Sequence, residues 1–481
     1  MITTERPRYG PSRSPGGARP APTVAPSRSL RIPAWWRDAV GSLTWASVLV
    51  VTALWGAGGG VQDLGGGFGT AMTSLGRLTG LVASDLLLVQ VLLMARLPMV
   101  ERVYGQDELA RRHRLVGFTS FNLMIVHIVL ITIGYASQGR ANPIVEFWHL
   151  TVNYPGMLLA LAGTAALVLV TVTSVRKARR RLRYESWHLL HLYAYLGVGL
   201  ALPHQLWTGK EFLTSSVATV YWWSLWVAAA AAILVWRLGV PVYRTLAHDL
   251  RVTKMVREGP DVVSVWMKGR NLNRLPVAAG QFFTWRFLTG PGWTRGHPYS
   301  LSAVPTDNTL RITVKDLGDG SGALARVRRG TRVAIEGPYG RLHRGVRTRR
   351  KVTLLASGIG VTPLRALLED LAQDPGDVTL VYRAGGTGGL VLKAEIDGLA
   401  TARGARVFYV LGHRARDRES WLPAVAAARM SDADALRDLI PDIAEHDVYL
   451  CGAQEWMDAA RQAAVAVGVP ARCIHEERFA W

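Results

Sequence analysis

The sequence predicts a multi-domain membrane protein: a six-helix transmembrane bundle, then an antiparallel β-barrel, then an α/β doubly wound nucleotide-binding domain. Three observations carry this. Six apolar segments, each near the length of a bilayer crossing, fill the first half. After Gly239 the pattern changes to short alternating runs separated by Gly and Pro. From Lys351 it changes again, to apolar strand, glycine turn and helix. At 481 residues the chain is too long for one compact domain. The divisions fall at 1–33, a basic Pro/Arg/Ser-rich tail; 34–240, the six-span bundle; 245–348, the barrel; and 350–481, the nucleotide-binding domain.

The tail has almost no large apolar residues and reads as disordered. It lacks a signal peptide's apolar core and small-residue cleavage site, so the first apolar run is expected to stay as a span. The net charge is +21. Basic residues concentrate in the tail, in Arg176–Arg183 and in Arg341–Lys351, and no cluster interleaves aromatics with base-reading side chains. Nucleic acid is therefore not the expected partner, and the lipid bilayer is. Two cysteines, Cys451 and Cys473, are too few for a disulfide framework or an iron–sulfur cluster.

The spans run approximately Ser42–Ala57, Leu78–Leu97, Leu115–Gly134, Gly156–Val175, His188–Ala201 and Val217–Leu238. The connection before the third carries Arg96, Arg102, Arg111, Arg112 and Arg114, and the one before the fifth carries Arg176–Arg183. The other connections hold almost no Lys or Arg, with Arg77 a minor exception. Positive residues stay inside, which puts both termini in the cytoplasm of a multi-pass cell-membrane protein and makes the third and fifth spans parallel.

Those two spans carry four histidines. His113 and His127 lie fourteen positions apart, within roughly 40° of one helix face and roughly 21 Å apart along it. His191 and His204 lie thirteen apart. Pairing them by depth sets His113 with His191 near the cytoplasmic side and His127 with His204 near the outer side. That is the arrangement needed to hold two stacked haems by His–Fe–His ligation. Thirteen steps on a regular helix leave His191 and His204 about 140° apart, so the reading requires Pro203 to distort the helix and re-aim His204. His188 competes with His191, or stands beside it as a structural neighbour. His149, in the outer connection, either lines an acceptor site or is a surface histidine. Asp85 and Gln90 lie within the second span and are either functional or packed inside the bundle.

In the soluble half, strands are expected at Val262–Met267, Phe282–Phe287, Leu310–Val314 and Arg332–Ile335. Among them stand His297-Pro298-Tyr299-Ser300-Leu301-Ser302, Gly318-Asp319-Gly320-Ser321-Gly322 and Gly337-Pro338-Tyr339-Gly340. Tyr299 offers a flat face for an aromatic cofactor, Ser300 a hydroxyl for a heteroatom edge, and the Gly/Ser run backbone N–H groups for a pyrophosphate. Further on, Val352–Ala356 is a strand, Ser357-Gly358-Ile359-Gly360-Val361-Thr362-Pro363 a turn, and Leu364–Leu371 the start of a helix. The glycines let the backbone close on a diphosphate at a helix N-terminus. Strands follow at Val378–Tyr382, Val407–Val410 and Asp447–Cys451, and Cys451-Gly452 ends the last at the edge where such sheets bind ligands.

Together, His-Pro-Tyr-Ser-Leu-Ser, Gly-Pro-Tyr-Gly, Ser-Gly-Ile-Gly-Val-Thr-Pro and Cys-Gly resemble the ferredoxin–NADP reductase module. Behind a six-span bundle with paired histidines, they resemble the ferric reductase and NADPH oxidase superfamily in a bacterial form, over about residues 40–481. The resemblance implies that the barrel binds FAD. Tyr299 would stack on the flavin, Ser300 would bond near its N5, and His297 would contact the phosphates, with Pro298, Leu301 and Ser302 completing the motif. Ser321 and Gly322 match the segment near the diphosphate. Gly358, Gly360, Thr362 and Pro363 would hold NAD(P)H, and Cys451 and Gly452 would sit beside the nicotinamide. Phe479 or Trp481 would cap the flavin. His113, His127, His191 and His204 match the ligands of two b-type haems.

The activity implied is electron transfer from cytoplasmic NAD(P)H through FAD and both haems to an extracytoplasmic acceptor, a ferric chelate or molecular oxygen. Arg383, after a strand, would suit the 2′-phosphate of NADPH, and a solvated arginine or NADH use stays open. Arg140 in the outer connection suits either an anionic chelate or superoxide. Two further readings stand: a membrane-anchored flavin reductase serving a cytoplasmic partner, and a non-catalytic haem and flavin redox sensor. No calcium-binding loop or regulatory docking segment is expected.

Overall fold

The computed structural model describes residues 2–3, 35–179, 184–209, 215–290, 293–316, 318, 324, 327–371 and 374–478. Residues 32–239 form one compact unit and residues 240–480 a second.

The first unit is helical because its apolar runs are bounded by residues that stop or start helices. Its principal helices are α1 (Trp35–Ala57), α2 (Phe68–Met94), α3 (Pro98–Gly139), α4 (Pro143–Asn153), α5 (Met157–Ser174), α6 (Tyr184–Trp207) and α7 (Ser216–Ala232). Pro98 and Pro143 open α3 and α4, where a missing N–H leaves no bond unmade. Asn142 and Ser215 cap α4 and α7 by accepting from the N–H groups of Ile144 and Ala218. Gly105 breaks α3, with φ 74°. From α7 the chain continues as a π-helical stretch, Ile233–Gly239, and as α8 (Val240–His248) of the second unit.

Five segments are long and apolar enough to cross a bilayer: Trp35–Ala57, Phe68–Met94, Glu108–Gly139, Met157–Ser174 and Ser216–His248. The expected span His188–Ala201 falls within α6, which has 24 residues. Three histidines, three aromatic residues with polar edges and Pro203 make α6 less apolar than those five. The tightest contacts join α5 to α6 and α2 to α3. A Cβ on Gly163 would lie 2.8 Å from the carbonyl oxygen of Gly197, so only glycine lets α5 and α6 approach this closely.

The second unit contains two sheets. The first is antiparallel, with strands β2 (Leu250–Gly259), β3 (Val262–Lys268), β4 (Phe282–Phe287), β5 (His297–Ser300), β6 (Thr309–Lys315) and β7 (Arg332–Tyr339), counted after β1 (Ile2–Thr3) of the other sheet. Its order is β5-β4-β7-β2-β3-β6, and a bridge between Leu301 and Ile312 draws the two edge strands together. Phe283, Trp285, Met267, Leu301 and Ile312 fill its interior. The four expected strands are all present. β2 and β5 were not expected, because β2 interleaves Arg251, Lys254 and Arg257 with its apolar residues and β5 reads as a polar motif.

The second sheet contains β8 (Val352–Ser357), β9 (Val378–Ala384), β10 (Arg406–Leu411), β11 (Asp447–Cys451) and β12 (Ile474–Glu476), in the order β1-β10-β9-β8-β11-β12. All pairings are parallel except that of Ile2–Thr3 with β10. The first residues of the expected disordered tail thus form an edge strand, and residues 4–34 lie outside those described. Helices α9 (Val361–Asp370), α10 (Lys393–Arg403), α11 (Asp432–Leu439) and α12 (Gln454–Ala466) connect the strands. β8, β9 and β11 are almost wholly buried, as parallel strands covered on both faces must be.

One carboxylate ties the entry of β8 to the last two strands. Asp447 is fully buried and accepts from the backbone N–H groups of Thr348 and Arg349, both at 2.6 Å, while His475 Nε2 lies 3.0 Å from its other oxygen. Burial acts to raise its pKa, but His475 and the two backbone N–H groups outweigh burial and hold it below the ordinary carboxylate value. A depressed folded-state pKa contributes stability above the unfolded-state value, and that stability is lost as pH falls through the folded one. Replacing Asp447 with Asn is therefore expected to cost about 2–3 kcal/mol at neutral pH. The urea midpoints of the two proteins should converge as the pH drops below the usual carboxylate range.

Candidate electron-transfer sites

Both expected histidine pairs are formed. The ring centroids of His113 and His191 are 5.9 Å apart, and those of His127 and His204 are 6.4 Å apart. Two imidazoles on opposite sides of one metal, each with a metal–nitrogen distance of about 2.0 Å, place their centroids roughly 6 Å apart. Both pairs fit that geometry.

The second nitrogen of each ring is also engaged. His127 Nδ1 lies 2.7 Å from the Gly76 carbonyl oxygen and His204 Nδ1 3.0 Å from that of Ala201. His113 Nδ1 makes a longer contact, 3.4 Å, with the Gln90 carbonyl oxygen, and His191 Nδ1 lies 3.3 Å from Ser174 Oγ. A carbonyl oxygen only accepts, so Nδ1 is the protonated nitrogen in the first three rings. Nε2 is then left with the lone pair a metal needs. These partners were not identifiable from sequence, because three of the four are backbone oxygens. Gly80 makes room for the outer pair, since a Cβ there would lie 2.5 Å from His127 Nδ1. Pro203 sits inside α6, which continues to Trp207, and His204 still reaches His127. It is His191 that lies against His113, with Trp187 tilted over the His191 ring at 5.0 Å.

Other polar residues of the bundle have structural partners. Asp85 is fully buried and one of its oxygens accepts from Ser47 Oγ at 2.5 Å and Tyr221 Oη at 2.6 Å. Gln90 contributes its carbonyl to His113. His149 lies 3.3 Å from Glu146 on α4.

In the antiparallel sheet, His297 and Tyr299 are alternate residues of β5 and share a face, stacked at 5.8 Å with an interplanar angle of 12°. Pro298 lies between them, opposite Thr284 of β4. Ser300 is buried and its hydroxyl has no hydrogen-bond partner among the described residues. A flat aromatic pair beside an unsatisfied hydroxyl fits the edge and face of a flavin. Leu301 and Ser302, expected to join the cofactor site, are placed elsewhere. The Leu301 side chain is wholly buried in the barrel-like core. The Ser302 hydroxyl accepts from Arg311 Nε at 3.0 Å and Thr313 Oγ1 at 2.8 Å, and its carbonyl accepts from Arg311 and Arg365. Both motif positions are taken by packing. Ser321, Gly322, Phe479 and Trp481 lie outside the described residues.

At the nucleotide edge, the Ser357–Pro363 turn meets the end of β11. A Cβ on Gly360 would stand 2.3 Å from the Cys451 carbonyl oxygen. Glycine at 360 therefore brings the N-terminus of α9 against Cys451-Gly452. Gly358 takes a left-handed φ of 56° to make the turn. Thr362 and Pro363 were expected to hold nucleotide, but both are buried, and the Thr362 hydroxyl donates to the Ile359 carbonyl. They shape the turn, and its backbone N–H groups remain the anion-binding feature. Arg383, at the end of β9, is buried, donates to the Ala384 carbonyl, and has no carboxylate partner among the described residues. Cys451 is buried at the edge of the turn, and burial, reinforced by the charge of Glu477, pushes its thiol pKa up.

Residues 79–202 match the family described as ferric reductase like transmembrane component, and residues 354–462 match the oxidoreductase NAD-binding domain. The chain joins a ferric reductase-like transmembrane domain to an FAD/NAD-binding module of the ferredoxin reductase type. A flavohemoprotein of Candida norvegensis is 34% identical over 151 residues, 29% of this chain and 39% of that protein. The ferredoxin reductase component of a 3-ketosteroid-9-alpha-monooxygenase of Mycobacterium tuberculosis (strain ATCC 25618 / H37Rv) is 30% identical over 213 residues, 43% of this chain and 56% of that protein. The chain thus spans about 39–56% of the length of these relatives. The solved FAD/NAD-binding domain of a nitric oxide dioxygenase of Vibrio cholerae O1 biovar El Tor is 25% identical, with a TM-score of 0.39, covering 48% of this chain and 98% of that one. The histidine pairs lie in and around the ferric reductase-like domain, and Gly360 and Cys451 lie inside the NAD-binding domain.

Two outcomes follow from the reductase module's edge. Because its thiol pKa is raised, Cys451 is expected to resist iodoacetamide in the native protein at about pH 8 and to react after unfolding. Peptide mass spectrometry reads this directly. Gly360→Ala forces the Cys451 carbonyl aside and is expected to slow reduction by NAD(P)H about tenfold or more. Stopped-flow absorption checks it, and a rate within twofold of the parent would contradict the close approach.

Proposed function

We propose that the chain is a transmembrane flavocytochrome oxidoreductase of the plasma membrane. It takes electrons from cytoplasmic NAD(P)H, uses FAD and two b-type haems, and reduces an acceptor on the opposite face, a ferric chelate or molecular oxygen. The observation that supports this most is the double pairing of His113 with His191 and His127 with His204, with an oxygen partner on every Nδ1. The Arg-rich connections favour a cytoplasmic location for both termini.

When bound, FAD accepts a hydride and releases electrons singly, and the haems relay them. The chain's own residues bind, orient and exclude water. Tyr299 and His297 give a stacked aromatic surface on β5. The unsatisfied Ser300 hydroxyl supplies a donor beside it. The first turn of α9 and the Gly358–Gly360 turn receive the nucleotide diphosphate. Arg383 suits the 2′-phosphate of NADPH, since its guanidinium has only a carbonyl acceptor. Cys451, as a neutral thiol, packs against the nicotinamide without offering a competing nucleophile. Phe479 or Trp481 caps the flavin. His113, His127, His191 and His204 hold iron through Nε2.

The test is the absorption spectrum of detergent-purified protein before and after anaerobic NADPH. Flavin bands with a Soret band, sharp low-spin haem bands on reduction and about two haems per flavin are expected. His113→Ala and His204→Ala should each lower the haem content to about one per flavin. Flavin that bleaches with no haem signal overturns the haem route and leaves a membrane-anchored flavin reductase.

A further inference from the structure

At the outer end of the bundle, four side chains converge that the proposed electron route does not use. Tyr135 stands in the last turns of α3. Glu146 and His149 lie three residues apart on one face of α4, and Tyr154 is the residue that ends it. The Tyr135 and Tyr154 rings are 6.3 Å apart, and the His149 and Tyr154 rings are also 6.3 Å apart. His149 Nδ1 lies 3.3 Å from Glu146 Oε1. Tyr154, Arg77 and Glu146 are the charged or titratable groups that act on the Tyr135 phenol. Arg77 is itself paired with Asp63 at 2.8 Å, which offsets its charge.

Two phenols, a carboxylate and an imidazole make an oxygen-rich donor set suited to a hard cation. We propose that Tyr135, Glu146, His149 and Tyr154 form a coordination site for labile ferric iron, the substrate that accepts the electron. This rests on the electron route proposed above, and it names the acceptor. Tyr135 lies eight residues beyond His127 on α3, about 12 Å along the helix axis. The site is open, with Tyr135 and Tyr154 each 37% exposed. Positions therefore remain for water or a chelator, and exchange is fast. One hydride from NAD(P)H supplies two electrons, so two ferric ions become ferrous and one proton is released. Reduction lowers the ion's charge and its preference for anionic phenolate oxygen, and the product leaves.

Two measurements on the full chain in detergent test this. The first is titration with gallium(III) nitrilotriacetate, a redox-inert stand-in, followed by tyrosine difference absorption in the ultraviolet. A saturable tyrosinate band is expected, and the double variant Tyr135→Phe, Tyr154→Phe should abolish it. No band in the parent, or an undiminished band in the double variant, overturns the site. This readout needs neither haem nor NADPH, so it separates failure of the site from failure of the electron route. The second compares ferric nitrilotriacetate, which has exchangeable positions, with ferricyanide, which has none. In Tyr135→Phe and in Tyr154→Phe the ratio of kcat/KM for the former over the latter should fall about tenfold, through KM. An unchanged ratio overturns the proposal. So does a parent enzyme that reduces its haems with NADPH and passes electrons to oxygen but not to ferric nitrilotriacetate.

Discussion

The membrane unit depends on how a histidine proton is accepted inside an apolar bundle. An imidazole buried there has no water, so its N–H must find an oxygen nearby. The oxygens found are mostly helix carbonyls: Gly76 and Gln90 on α2 for the histidines of α3, and Ala201 on α6 itself for His204. A carbonyl already held in a helix cannot turn to follow the ring, so it fixes the ring instead. The choice of Nδ1 as donor then decides that Nε2 faces the partner histidine, and ring spacing near 6 Å follows at both levels. Close approach of α2 to α3 and of α5 to α6 supports this, because each histidine helix is braced by one neighbour.

A similar constraint holds the soluble unit. Arg311 of β6 forms a two-toothed ion pair with Glu395 of α10, and Arg365 of α9 reaches the same carboxylate. Both arginines also donate to the Ser302 carbonyl. Arg311 is almost wholly buried, so this network is shielded from solvent and worth more than an exposed pair. It fastens the strand that carries Tyr299 and Ser300 to the helix that follows the Gly358–Gly360 turn.

Much of this was legible in the chain alone, for physical reasons that differ by element. The depth pairing of the histidines was readable because arginine asymmetry sets orientation and helical rise sets depth. The angular mismatch between His191 and His204 was a poor guide, since a helix containing Pro203 need not keep regular geometry. α6 was harder to read as a crossing because its histidines dilute its apolarity. The carbonyl partners were invisible, as backbone atoms leave no trace in residue identity. β2 was hidden by its charged residues, which lie along a strand only partly covered. Leu301 and Ser302 show the limit of motif reading. A run of six residues in a strand and its exit alternates direction, so some members must point into the core.

Asp85 has a consequence for how the chain is made. A lone carboxylate in a nascent crossing segment opposes insertion by roughly 2.5–3.5 kcal/mol. α2 must enter the bilayer on the strength of its other residues, since the groups that satisfy Asp85 are far away in sequence. Ser47 is on α1, made earlier, and Tyr221 is on α7, made last. The polar contact therefore closes only once the final span has arrived. It joins the first, second and last membrane helices in one fastening, so the bundle's polar interior is completed late in biosynthesis and the two histidine helices are enclosed by a scaffold whose ends are clasped together.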